Sequence, residues 1–153
     1  MGTLAAPISN STTADLEAIS LLTQLHGDKS KEAIEFARSR LMQISSMHNV
    51  ELEPFYTQYL NAVDAFGQGN FALATSCFQD IVNHKEVDIP VSLVSYANIY
   101  LGSIFASQGD FYCSLSYFTK AEMDTRITDH QLGLFLNLNI GGLYISLGDY
   151  EKA

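Results

Sequence analysis

Positive charge is scarce in this chain. It carries 8 Lys and Arg against 17 Asp and Glu, a formal net charge of −9 over 153 residues. No cation occurs between Arg40 and Lys85. Nucleic-acid binding needs clustered cations to displace the counterions of phosphate, so this composition argues against a nucleic-acid partner. Cysteine is nearly absent too. Cys77 and Cys113 stand alone, without Cys-x-x-Cys spacing, and read as packed free thiols in a reducing compartment, with the cytoplasm as the default location. No apolar run approaches the roughly 18 residues of a membrane span, so no membrane partner is expected. Met1–Thr13 shows no basic stretch followed by an apolar one, hence no signal peptide. Gly2 fails as a myristoylation site because Ala6 stands where Ser or Thr is needed. Asn10-Ser11-Thr12 matches a glycosylation acceptor, which has no meaning without a secretory route.

Catalytic and cofactor chemistry is equally thin. His26, His48, His84 and His130 form no His-x-x-x-His pair and fall near expected helix ends, so no metal is expected. Gly67-Gln68-Gly69 lacks the third glycine and the preceding strand of a phosphate loop, and reads as a turn. No Gly-x-Ser-x-Gly elbow occurs. The carboxylate pairs Glu51/Glu53 and Glu122/Asp124 have no neighbour that would separate their pKa values for acid–base work. The expectation is a non-enzyme without cofactors.

What is present is a helical repeat. Residues 95–121 carry small and aromatic residues at helical spacing, broken by Gly109-Asp110. Gly109 can take the positive φ that ends one helix, and Asp110 can cap the next. Gly69-Asn70-Phe71 and Gly148-Asp149-Tyr150 repeat that turn, at offsets of 40 and 39 residues. Aligned on these glycines, a close-contact position reads Ala62, Gly102, Gly141, followed three residues on by Ala65, Phe105 and Tyr144. The second-helix positions read Ala74, Ser114 and Ala153, with Phe78 and Phe118 as the aromatics and Ile81 and Ala121 after them. Leu101, Phe105, Phe118 and Ala121 should fill the space around Gly102. One such hairpin cannot bury its apolar surface alone, so neighbours are required.

Expected helices cover about 53–67, 71–84, 90–108, 111–125 and 128–147. Pro54 and Asp88/Pro90 provide two of the start signals, and Thr128 with Gln131 a capping box. Ahead of them, Leu16, Ile19, Leu22 and Leu25 form a stripe; after the His26-Gly27-Asp28 break, Ala33, Ile34, Ala37, Leu41 and Ile44 form another. Arg38 and Arg40 with Glu32 and Glu35 read as a solvated face, with Glu35 and Arg38 at ion-pair spacing. The organisation is therefore a flexible N-terminus over 1–13, a degenerate helical hairpin over 14–50, and repeats over 51–153 with the last truncated.

These motifs resemble the tetratricopeptide repeat over roughly residues 55–153. The spacing exceeds the family's common period of 34 residues. The resemblance implies an all-α, right-handed solenoid of antiparallel helix hairpins whose function is interaction with a protein or peptide. It also implies that the first helix of each pair lines a concave groove. Mapped here, that groove comprises Tyr56, Tyr59, Val63 and Phe66, then Tyr96, Ile99, Ser103 and Ala106, then Phe135, Leu138, Gly142 and Ile145. Asn98, Asn137 and Asn139 lie nearby without a cation, which disfavours a carboxylate clamp. Tyrosine hydroxyls tend to face water or a polar partner, so Tyr56 and Tyr59 are the expected contacts. For Tyr96 and Phe135, packing between repeats is as good a reading as binding.

The run from Asn139 to Ala153 is similar to the N-terminal sensory repeats of bacterial signalling proteins, which precede a diguanylate cyclase or a DNA-binding regulator. A regulatory interaction module is thus expected, with the peptide-binding domain of a quorum-sensing-type regulator as the alternative. The second helix of the last pair would begin at Asp149, too late to cover Leu136, Ile140, Leu143, Tyr144 and Leu147. A homodimer through the C-terminal helices is therefore also expected.

Overall fold

The computed structural model describes residues 10–84, 88–123 and 130–148, and every structural statement below concerns these. Seven α-helices follow one another: α1 (Asn10–Thr23), α2 (Lys31–His48), α3 (Pro54–Gly67), α4 (Phe71–Val82), α5 (Val91–Ser107), α6 (Phe111–Glu122) and α7 (His130–Ser146). A 3-10 turn, Gln24–His26, closes α1.

Local chemistry sets the boundaries. Gly69, Gly109 and Gly148 have φ of 77°, 81° and 74°, a region costly for any residue with a Cβ, so the repeated turn is one backbone solution used three times. Side-chain oxygens of Asn70 and Asp110 accept from the N–H groups of Leu73 and Cys113, capping α4 and α6. Ser30 caps α2 in the same way through Ala33. Pro54 opens α3 in its first turn, where a missing N–H costs nothing, and Asn49 ends α2 in the left-handed conformation. The Thr128 cap and the last hairpin's second helix lie outside the described residues.

Each helix packs on the next, as the repeat pattern requires; α1 also packs on α3 and α5, and α5 on α3 and α7. In the middle hairpin the Phe118 ring of α6 lies directly on Gly102 of α5: a Cβ there would stand 2.5 Å from Cε1 of the buried Phe118. Ser114 Oγ donates to the Gly102 carbonyl at 2.7 Å, tying the two helices at the same level. Phe105 is partly buried and stacks on Tyr117, 5.5 Å between centroids, instead of filling the space at Gly102. At Gly141, no described atom lies within 4 Å of where a Cβ would stand.

Two expectations for the first hairpin need correction. Helix α1 starts at Asn10 and buries Ala14, Ala18 and Leu22, while Leu16 is exposed. A stripe of large residues alone misses this face. The buried face uses alanines four residues apart, which let α1 lie close on its neighbours. Arg38 does not pair with Glu35; its guanidinium reaches across to Asn61 at 3.0 Å and Asp64 at 3.5 Å on α3. Arg40 pairs with Glu17 on α1 at 3.8 Å, and His48 Nε2 stands 3.1 Å from the same carboxylate. These contacts join different helices, so they could not be read from spacing within one helix.

Candidate functional site: a closed inner face and its open end

The inner face expected to be an open groove is largely filled. Helix α1 packs against α5 as well as α3, so it lies across the surface that those two helices present. Tyr56, Tyr59, Val63, Tyr96, Ile99 and Asn98 are buried as a result, and Phe66 and Ser103 are partly buried. Tyr56 does not face water. Its hydroxyl donates to Asp15 Oδ1 of α1 at 2.9 Å, and burial followed by that carboxylate raises its pKa well above the usual phenol value. Tyr59 lies wholly inside, edge-on to Phe78 with 6.1 Å between centroids. Phe78 in turn stacks on Tyr100 at 4.9 Å and 10°. The rings expected to meet a partner form a core instead, because the chain's own first helix occupies their open side.

The turn between α1 and α2 completes this closure. His26 stacks on Tyr96 and tilts against Phe135, 5.4 Å from each ring centroid. Its Nδ1 lies 2.7 Å from the Thr23 carbonyl. A carbonyl only accepts, so Nδ1 carries a proton and donates to it. Lys29 enters from the same turn. Its Nζ donates to the His26 carbonyl at 2.6 Å, and burial lowers its pKa, opposed by the neighbouring Asp28 carboxylate. At Gly67 the end of α3 meets this turn: an added Cβ would stand 2.7 Å from the Lys29 carbonyl oxygen.

What stays open is a cleft of about 580 Å³ between that turn and α7, lined by His26, Gly27, Leu134, Phe135, Leu138 and Asn139. Phe135, Leu138 and Asn139 were expected on the inner face; His26, Gly27 and Leu134 were not. Leu134 is 64% and Leu138 74% exposed, so apolar surface faces solvent here. Asn139 Nδ2 donates to the Phe135 carbonyl at 2.7 Å, which fixes its side chain against its own helix at the cleft wall. The cleft's contribution from the first turn carried no sequence signal beyond a helix break. That His26 and Gly27 meet α7 depends on contacts between residues distant in sequence.

The closed part contains an anomaly. The hydroxyls of Tyr59 and Tyr100 and Oδ1 of Asn98 are buried without a hydrogen-bond partner. Burial raises the Tyr100 pKa far above the ordinary phenol range, with Tyr96 adding to it. An unpaired buried hydroxyl costs about 1–3 kcal/mol, so Tyr100→Phe is expected to leave stability unchanged or raise it by up to that amount. Urea unfolding measures this. A loss beyond about 1 kcal/mol would show that the hydroxyl has a partner, such as an internal water.

Among the described residues no group of three or more His, Cys, Asp or Glu side chains could hold a metal ion, and no helix is long and apolar enough to cross a membrane. Comparison with protein-family models, curated proteins and solved structures finds no match to this chain.

Proposed function

We propose that this chain is a protein-interaction module whose partner contact is the cleft at the open end of the inner face, where a segment of a partner inserts an apolar side chain. The observation that carries this reading is the exposure of Leu134 and Leu138 on one wall of a concave site. Apolar concavities with a few polar groups at the rim are the usual form of a binding site. His26 and Asn139 are those groups here. In this reading the helical hairpins are tetratricopeptide-like repeats forming a solenoid, and the module regulates a larger signalling protein. The repeated Gly69, Gly109 and Gly148 turns and the sequential packing support it. The groove of the resemblance is then reduced to one end, because α1 covers the rest.

The test is a peptide library selected against the protein, followed by titration of the selected peptides. Leu138→Asp places a charge in the cleft without disturbing the core, and it should weaken those peptides at least about tenfold. Tyr112→Asp, on exposed α6 surface outside the cleft, should not. If the selected peptides bind both variants equally, the cleft is not the contact.

A further inference from the structure

Three aromatic rings stand around the ammonium of Lys29. Its Nζ lies 6.0 Å from the ring centroid of Phe66, 5.7 Å from that of Tyr100 and 5.8 Å from that of Phe135. The rings come from α3, α5 and α7, one from each of three successive hairpins. They are not stacked: Phe66 meets Tyr100 at 61° and Tyr100 meets Phe135 at 64°. With Phe66 and Phe135 each set steeply to Tyr100, the three rings make a box, and the His26 carbonyl closes a further side. Among the described residues no carboxylate oxygen forms an ion pair with Lys29. Its charge is met by ring faces and a carbonyl, the arrangement that recognises alkylammonium groups. The Tyr100 wall also carries a buried hydroxyl with no partner.

We propose that this box is an alkylammonium-binding site that the chain's own Lys29 occupies, and that its external ligand is a lysine side chain, free or N-methylated, of a partner peptide. The turn carrying Lys29 is the plug. It sits at the chain surface, with Gly27 and Asp28 exposed, and is a short segment between two helices. It rests against α3 only because Gly67 has no Cβ. A cationic partner is drawn to a chain of net charge −9. Displacing the plug costs the ligand the contacts that Lys29 makes, so wild-type affinity is reduced by the fraction of molecules whose box is open.

This inference does not rest on the apolar reading of the cleft, and its test needs no peptide to begin with. The probe is n-butylammonium, the end of a lysine side chain, titrated by NMR into wild type, Lys29→Ala and Lys29→Met. Lys29→Ala empties the box and should bind butylammonium saturably, at least about tenfold more tightly than wild type. Lys29→Met fills the box with a neutral chain and should not bind. Neutral n-butanol should bind none of them. Gly67→Ala keeps Lys29 but pushes its backbone away, and should also strengthen butylammonium binding, which covers the case in which Lys29→Ala fails to fold. Leu138→Ala should leave butylammonium binding unchanged, so loss of the cleft and loss of the box are distinguishable. Equal binding of butylammonium and butanol by Lys29→Ala would overturn the proposal, as would no saturable binding by the folded variants. An acetylated tripeptide with central lysine or trimethyllysine, compared with its norleucine counterpart, then identifies the source. Binding of butylammonium without preference for the lysine peptides would overturn the peptide ligand.

Discussion

Phe78→Ala is expected to lower stability by about 3–5 kcal/mol, the range for removing a fully buried phenylalanine ring. Phe78 has no exposed surface and touches two other buried rings, stacking on Tyr100 and meeting the face or edge of Tyr59. Those rings come from α5 and α3, so the space that alanine would leave is bounded by three helices and cannot close by moving one of them. In a chain of this size that loss corresponds to a melting temperature lower by roughly 6–20 °C. Phe36, which is 66% exposed, provides the comparison: Phe36→Ala should stay within about 0.5 kcal/mol. Chemical unfolding of both variants decides it. A Phe78→Ala cost below about 1 kcal/mol would mean that the aromatic stack across α3, α4 and α5 is not a packed core.

Gly102→Leu is the second large effect, with an expected loss of about 1–3 kcal/mol or more from overpacking. Even alanine has no room. Its Cβ would meet Cε1 and Cδ1 of Phe118 at 2.5 and 2.6 Å, and Phe118 is itself buried. Alanine in a helix interior ordinarily gains about 1 kcal/mol over glycine. Gly102→Ala therefore sets a favourable backbone effect against an unfavourable contact, and the contact should win. The cause is testable through its partner. In a Phe118→Leu background the ring is gone, and Gly102→Ala should become neutral or stabilising. A double-mutant cycle by urea unfolding measures that coupling, expected at about 0.5–3 kcal/mol. Independent, additive effects would show that the two helices do not meet at Gly102.

The hairpins were legible because their signals are local. The turns at Gly69, Gly109 and Gly148, the caps at Asn70 and Asp110, and the start at Pro54 each act within a few residues. The expected helices accordingly lie within a few residues of those observed. The close approach at Gly102 was legible for a related reason: a missing side chain at a helical position facing an aromatic implies contact. Chemistry that depends on residues distant in sequence was not legible. Helix α1 packs on both α3 and α5, and that turned Tyr56, Tyr59, Val63, Tyr96 and Ile99 from an expected groove into core. No periodicity in any one helix reports this. Which helices meet beyond their sequence neighbours is a sum of all the intervening helix contacts, and only that sum decides whether a face stays open. The same sum brings Lys29 from a plain surface turn into a box of rings from α3, α5 and α7. The sequence by itself thus determined an all-α chain, where its hairpins turn, and which positions must be small. The tertiary structure alone decided which aromatics are covered, what covers them, and where the remaining opening lies.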